Sequence, residues 1–599
     1  MNGRFAAGLV VLAVAVGTFT TLLTPPEVRS GQRYLDTDDY TRLLRVRELA
    51  TGGSWFDATL ERANWPDGDT LHWTRPMDVV LLAAVGVVAP IGGLDDGLRS
   101  AAIVVPPLLL FAILLVATWA AAPVGDPRLR FAVPVVLLAQ PALVFYGRVG
   151  RADHHALILL CFAAALGFAL RGLEEPERRS WAWGLGLSCA LGLWTSTEFL
   201  LPLALFLATG MAVWVGQGGI TGVFQRRWTG ALAAGVAAAL LLERAPDLGM
   251  AAYDRLSWVH LLVTALAAGV WVAATRIGTE ADRSARGRAV VGLATAAGAG
   301  LVVWLAAPGF FGGPMVAVTD PVVRRWLSQV PELQPRLLPV DLTRAGVLVV
   351  VTGCAVAVTV WLAARVRRDG GGGRGLLLAG LVLFLGIALV QVRWVTYVGV
   401  LAGPAAAAVL AGRFRGVEAI SPEPLAPRIA ALGVLLLGPL VVGGAMVALA
   451  PDAPTDSLAE PPSSCDMEAV AAFLDPAGPL GPGPWTVAAH MDLGPVLLYR
   501  TPHRVLATPY HRNRHGIRAV YDLFTHTDGT TAADRARRLG AHFLVACPSR
   551  DRAFAPSAPG EGPTLLERLL AGDPPPGFRE LPAPAALGAQ RVWRVVEDP

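Results

Sequence analysis

Apolar runs long enough to cross a bilayer recur along this chain, and no other feature restricts its fold as strongly. They fall near 5–24, 101–122, 131–146, 154–170, 181–197, 199–216, 229–242, 257–275, 287–307, 344–364, 375–391, 394–412 and 429–450. A helix satisfies its backbone groups internally, so such runs read as membrane-crossing helices, about thirteen in all. Several are shorter than the ~20 residues of an untilted span, and 229–242 is the weakest. Of 599 residues, 54% are hydrophobic and 16% charged, more apolar side chain than a soluble fold can bury. The run at 5–24 lacks a small-residue cleavage site and reads as an uncleaved first span. A net charge of +4 over this length implies no nucleic-acid partner.

Arginine orders the loops. Arg128 and Arg130, Arg178 and Arg179, Arg226 and Arg227, Arg283 to Arg288, Arg365 to Arg374, and Arg413 to Arg415 fall in alternate loops. The positive-inside rule makes those loops cytoplasmic, provided that the apolar stretch 78–92 lies on or dips into the outer face. The pieces left outside are loop 25–100, the segment around 147–153, Glu198, loop 308–342, Arg393 and everything after 451. Residues 1–450 are thus read as a transmembrane domain. Residues 451–599 are read as an extracytoplasmic α/β domain, with strand-like runs at 485–489, 505–508, 543–546 and 591–596 and helix-like ones at 467–474, 534–539 and 564–570. The membrane would be the inner (cytoplasmic) one. Cys465 and Cys547 in this tail could pair if it is extracytoplasmic, whereas Cys161, Cys189 and Cys354 sit in apolar runs as small hydrophobes.

Charge at the end of an apolar segment is costly unless it is used. Asp36, Asp38 and Asp39 precede Tyr40, where an ordinary role is a helix N-cap or a solvated turn. Asp153, His154 and His155 open the 154–170 run, and at a helix N-terminus Asp153 and His155 can point into one site that suits a divalent metal. Arg148 and Arg151 stand just before them and are able to hold a phosphate bidentately. Arg393 interrupts a long apolar region, so it must reach the interface or pair with an anion. Glu332 is a single acid in loop 308–342. There is no Walker motif, Rossmann fingerprint, Cys-x-x-Cys or nucleophile elbow.

Taken in order, these segments resemble the catalytic subunit of oligosaccharyltransferases, the single-chain bacterial and archaeal forms especially. More broadly they resemble the GT-C membrane glycosyltransferases that use polyprenyl-linked donors. Asp38-Asp39-Tyr40 corresponds to that family's first outer acidic motif, and Arg148 with Asp153-His154-His155 to the histidine version of its second. Ser328-Gln329-Val330-Pro331-Glu332 is a loose match, one residue longer, to the motif ending its fifth outer loop, and Arg393-Trp394 corresponds to its late Arg-Phe. The family's acceptor-binding Trp-Trp-Asp-Tyr-Gly is absent. Its positional relative, His490-Met491-Asp492-Leu493-Gly494, keeps only Asp and Gly, and a polar cluster His511-Arg512-Asn513 follows Tyr510.

The resemblance implies transfer of a glycan from a polyprenyl-(pyro)phosphate donor to an acceptor protein, lipid or glycan at the outer membrane face. Asp38, Asp153 and His155 would ligate Mn2+ or Mg2+. Glu332 would complete the site or orient the acceptor, with Asp38 or Glu332 polarising it. Arg393 and Arg148 would clamp the donor phosphate. Asp492, His511, Arg512 and Asn513 are expected near the acceptor. The alternative is a transferase using a polyprenyl-phosphate sugar to glycosylate a lipid or polysaccharide. A transporter or flippase fits less well, because no internal repeat places ionisable groups at the bilayer midplane.

Overall fold

The computed structural model describes residues 3–277, 284–334, 341–369, 372–411, 425–450, 465–478, 480–556, 562–582 and 584–596. The linker prolines 451, 454, 461 and 462 and the arginines at 283, 413 and 415 lie outside them. The chain folds as a polytopic α-helical membrane protein with a small sheet-containing tail. Each of the thirteen apolar runs is helical. Among the described residues, nine helices are long and apolar enough to cross a membrane, or ten if one bent pair counts as a single span. That pair answers to the 131–146 run. Gln140-Pro141 splits it into Pro127–Leu138 and Pro141–Gly147, bent by 77°. Three of the remaining runs form shorter apolar segments, including Arg179–Thr195 and Gly372–Ala388 at 17 residues each, so the count of thirteen stays an expectation.

Helices meet where side chains are small. Leu342–Asp369 and Leu425–Ala448 cross at Gly346 and Gly443, where a Cβ on Gly346 would stand 2.6 Å from the Gly443 carbonyl oxygen. The stretch 78–92 forms the helix Pro76–Gly92, packed along Leu94–Ala120. Its first turn carries Asp78, fully buried against Arg42, Arg45 and Arg75 at 2.7, 2.7 and 3.1 Å.

The loop from 25 to 75 is ordered by a helix, Thr37–Ala50, and a hairpin of β1 (Thr59–Leu60) with β2 (Asp69–Thr70). Asp36 caps the helix, and Asp39 reaches back to the Asp36 backbone N–H at 2.9 Å. The two acids therefore satisfy backbone donors that a helix start leaves open.

Among its described residues the tail holds five strands: β3 (Thr486–Ala489), β4 (Arg504–Val505), β5 (Phe543–Ala546), β6 (Phe578–Glu580) and β7 (Arg591–Val595), in the order β4-β3-β5-β7-β6. β4, β3 and β5 run parallel, while β7 and β6 are antiparallel to their neighbours. Every residue of β3 and β5 is buried, the continuous apolar pattern of strands covered on both faces. Cys465 and Cys547 form a disulfide, and Cys161, Cys189 and Cys354 are free and buried. The helices Met467–Phe473, Gly529–Arg538 and Leu565–Ala571 answer to the three expected, and Leu493–Arg500, Arg514–Phe524 and Pro548–Phe554 are additional.

Among the contacts that seat the tail on the helices, two involve whole elements. Leu493–Arg500 packs against Thr37–Ala50, where Arg47 donates to the Tyr499 carbonyl at 2.9 Å. A short helix from loop 308–342, Pro321–Leu327, inserts Val322, Val323 and Trp326 into the tail core beside Ile517, Val520 and Phe524.

Candidate active site

Four segments distant in sequence bring polar groups to one end of the helices, beneath the tail. The first is the start of Thr37–Ala50. The second is 148–155, entering the helix His155–Glu174. At Gly150 the backbone has φ +84°, and a Cβ there would lie 2.3 Å from Val28 Cγ1, so a glycine lets this turn close against the 25–75 loop. The third is Glu332, in the turn Pro331–Leu333. The fourth is Arg393, in Val392–Trp394. The last two are tied together, since the Val392 N–H donates to the Gln334 carbonyl at 3.4 Å.

Asp153 sits at the centre. One carboxylate oxygen bonds the His154 backbone N–H at 2.6 Å and lies 2.5 Å from His154 Nδ1, and the other meets His155 Nδ1. Ligand atoms of Asp153, His154 and His155 all fall within 4.8 Å of one another. Burial opposes ionisation of Asp153, yet the two imidazoles outweigh it and hold the carboxyl well below its usual range. His155 stacks on Tyr146 with centroids 4.4 Å apart, and Tyr146 donates to Glu332 at 2.7 Å. Glu332 therefore joins the cluster.

Arg151, 1% exposed, binds four acids: Asp36 at 2.5 Å, Asp153 at 3.6 Å, Glu332 at 3.7 Å and Asp39 at 3.9 Å. Its guanidinium is committed inside the protein, which leaves Arg148 as the cation of this segment for an anionic ligand. Arg148 lies over the Phe145 ring at 4.4 Å, and its Nε is buried without a partner. Arg151 holds Asp36 ionised despite burial. Burial, followed by the charges of Asp36 and Asp153, pushes Asp38 well above the usual carboxylate range. Asp38 stands outside the tight Asp153 group and takes a hydrogen bond from Tyr510 at 3.3 Å. Beside it, Asp39 Oδ1 is buried with no partner.

The sequence places Glu198 on the same face as the other polar pieces but gives it no role, since it is one acid in an apolar stretch. It lies 4.0 Å from His155 Nε2 and 3.0 Å from Arg393 Nη2, linking the metal-type residues to the arginine. Arg393 Nε is buried and unpartnered. The tail residues are placed differently. His511 and Arg512 grip Asp254 at 2.6–2.7 Å, and Asn513 donates to Thr508 Oγ1 at 2.6 Å. Asp492 pairs with Arg550. Each of these four residues makes a polar contact within the chain, while Asn513 Oδ1 is buried without a partner. Tyr510 is the tail side chain that reaches the acids, through Asp38 and through Thr41 Oγ1 at 2.7 Å.

An imidazole pair and a carboxylate with ligand atoms within 4.8 Å of one another make a donor set that fits a divalent cation. The fold and this centre define a class: a helical membrane protein whose acidic, imidazole-bearing site opens at the helix ends under an α/β tail.

No family model matches the chain, and no curated protein does. Solved structures match its fold. The archaeal oligosaccharyltransferase AglB from Archaeoglobus fulgidus, in complex with an inhibitory peptide and a dolichol-phosphate, superposes with TM-score 0.67 at 14% identity, covering 91% of this chain and 70% of that one. The Archaeoglobus fulgidus oligosaccharyltransferase tethered to a sequon peptide gives 0.64 at 14%, covering 91% and 69%. Its complex with zinc and sulfate gives 0.62 at 15%, covering 90% and 67%. The chain therefore has the oligosaccharyltransferase fold.

Proposed function

We propose that this protein is a metal-dependent glycosyltransferase that moves a glycan from a polyprenyl-(pyro)phosphate donor to an acceptor at the outer face of the cytoplasmic membrane. The observation that carries this reading is the convergence of Asp153, His154, His155, Glu332 and Arg393 at one helix end. The fold adds support, since the similar archaeal enzyme is named as an oligosaccharyltransferase bound to dolichol-phosphate. Residues 1–450 would form the catalytic membrane domain and 451–599 its extracytoplasmic cover.

Asp153 and His155, with His154 and Asp38 beside them, would hold Mn2+ or Mg2+. When bound, such an ion neutralises charge developing on the departing phosphate. Arg393, oriented by Glu198 at 3.0 Å, and Arg148 would grip the phosphate oxygens. Glu332, held by Tyr146, would accept a hydrogen bond from the acceptor's nucleophilic atom and orient it toward the sugar. Asp38, whose carboxyl is pushed up by burial and by the charges of Asp36 and Asp153, would give up its proton as the ion binds beside it.

The test is glycan transfer by the purified protein in detergent with and without a chelator. Asp153→Ala and His155→Ala should each abolish transfer while the protein stays folded. Full transfer by both variants would sink the metal-site assignment.

A second reading is a transferase acting on a lipid or polysaccharide from a polyprenyl-phosphate sugar. It is favoured by the inward engagement of Asp492, His511, Arg512 and Asn513, which leaves no assigned group for a peptide. Mass spectrometry of glycoproteins and glycolipids from a deletion strain separates the two by showing which molecule loses its glycan.

A further inference from the structure

One acid at the centre has two partners. Glu198 Oε2 lies 3.0 Å from Arg393 Nη2 and 4.0 Å from His155 Nε2, so a single carboxylate oxygen stands between the arginine and the metal-type residues. The first distance is that of a charge-assisted hydrogen bond, and the second is too long for one. Without a cation, the carboxylate is therefore committed to Arg393. Its side chain is 5% exposed, so little water competes for it.

The backbone beneath Glu198 is fixed. The turn Thr197–Phe199 starts at Ser196, whose Oγ accepts from the Glu198 N–H at 3.2 Å. The Phe199 ring packs so closely on the preceding helix that a Cβ on Gly192 would lie 2.4 Å from it. A change of partner thus involves the Glu198 side chain alone. Tyr397 stands beside the same carboxylate, with its buried hydroxyl not aligned into a hydrogen bond, and is ready to accompany such a turn. Arg393 is more open, its side chain 23% exposed, and Glu332 is the other acid whose charge reaches it. An anion arriving at the guanidinium competes first with Glu198.

We propose that Glu198 is a positioning residue that makes the cation and the donor phosphate bind in order. In the cation-free protein it masks Arg393. When a cation is held by Asp153 and His155, the carboxylate turns toward that charge and the freed guanidinium takes the phosphate. By linkage, phosphate strengthens cation binding by the same factor. That the anion carries a polyprenyl chain rests on the glycosyltransferase reading. The coupling does not, so it is read from binding alone.

The experiment is calorimetric titration of the full-length protein in detergent with Mn2+, farnesyl phosphate and inorganic phosphate, each anion with Mn2+ or with a chelator. Wild type should bind farnesyl phosphate at least about tenfold tighter with Mn2+, the scale of one charge-assisted hydrogen bond no longer competed away. Glu198→Gln should weaken Mn2+ about tenfold, tighten cation-free farnesyl phosphate about threefold and cut the coupling below about threefold. The opposite signs are the signature, since a residue that only supports the fold would weaken both ligands. Glu198→Asp, which keeps the charge, should hold Mn2+ to within about threefold of wild type. Arg393→Gln gives a second, independent reading and should tighten Mn2+ about threefold, because Glu198 then has one partner fewer. Undiminished coupling in Glu198→Gln overturns the proposal. So does weaker cation-free phosphate binding in that variant, or Mn2+ binding in Arg393→Gln that is no tighter than in wild type. Coupling of equal size with inorganic phosphate, at equal affinity, upholds the role of Glu198 and counts against the polyprenyl donor.

Discussion

Replacing Arg151 by methionine keeps an unbranched apolar stem and deletes the cation shared by four acids, of which Asp39 and Asp153 are buried. Its guanidinium stands 2.5, 3.6, 3.7 and 3.9 Å from their carboxylate oxygens. With an effective dielectric near 20, each attraction is worth roughly 4–7 kcal/mol before desolvation. The cost of burying the ions offsets most of this, and removal of one partner from buried pairs leaves a net loss of about 3–5 kcal/mol. The variant should lose that much stability in mixed-micelle unfolding followed by tryptophan fluorescence. It should also gain more from Mn2+ than the wild type does, because the acids it leaves uncompensated attract a cation more strongly. A loss under about 1 kcal/mol would show that water or rearrangement replaces the guanidinium. Equal Mn2+ increments in the two proteins would refute the claim that these acids surround a cation site.

Tyr510→Phe removes the tail hydroxyl that reaches Asp38 and Thr41. It should cost about 1 kcal/mol in the same unfolding assay and lower transfer in a protein that stays folded. Asp254→Asn weakens the grip on His511 and Arg512, costing about 2 kcal/mol and exposing the 509–513 segment to limited proteolysis. Stability should fall as pH rises from 4 to 8, because burial pushes Asp551 up to about 7 and Asp69 up to about 6. Between the unfolded and folded values the native state holds protons that the unfolded chain has released. Asp551 alone contributes about 4 kcal/mol to that slope, and Asp551→Asn should flatten it above pH 6. Cys465→Ser opens a bridge between residues 82 apart, which should cost about 4 kcal/mol by unfolding with and without reductant.

The helical membrane half was readable because hydrophobicity accumulates over twenty residues, whereas the break at Gln140-Pro141 was carried by a single dipeptide. In the tail, Ile517, Val520, Leu523 and Phe524 recur at helical spacing, so Arg514–Phe524 was legible and went unread. Leu493–Arg500 was hidden by Gly494-Pro495, which resembles a turn although proline is tolerated in a first helical turn. At the site, Asp153 and His155 were legible because neighbours in sequence share one helix entrance. Arg151 looked equivalent to Arg148. Only tertiary packing shows that Asp36 and Asp39, each capping the helix Thr37–Ala50, also claim Arg151. Glu198, Tyr146 and Tyr510 gave no local signal, since one hydroxyl or acid acquires meaning from partners hundreds of residues away.

The short helix Pro321–Leu327 has a consequence for biosynthesis. Its Val323 and Trp326 are covered by residues of the 517–524 region, which a ribosome adding 5–20 residues per second delivers about 10–40 s later. Until then the loop that holds Glu332 has no core to join. A nascent chain therefore carries an incomplete centre through most of its synthesis, and the last quarter of translation acts as the step that arms it.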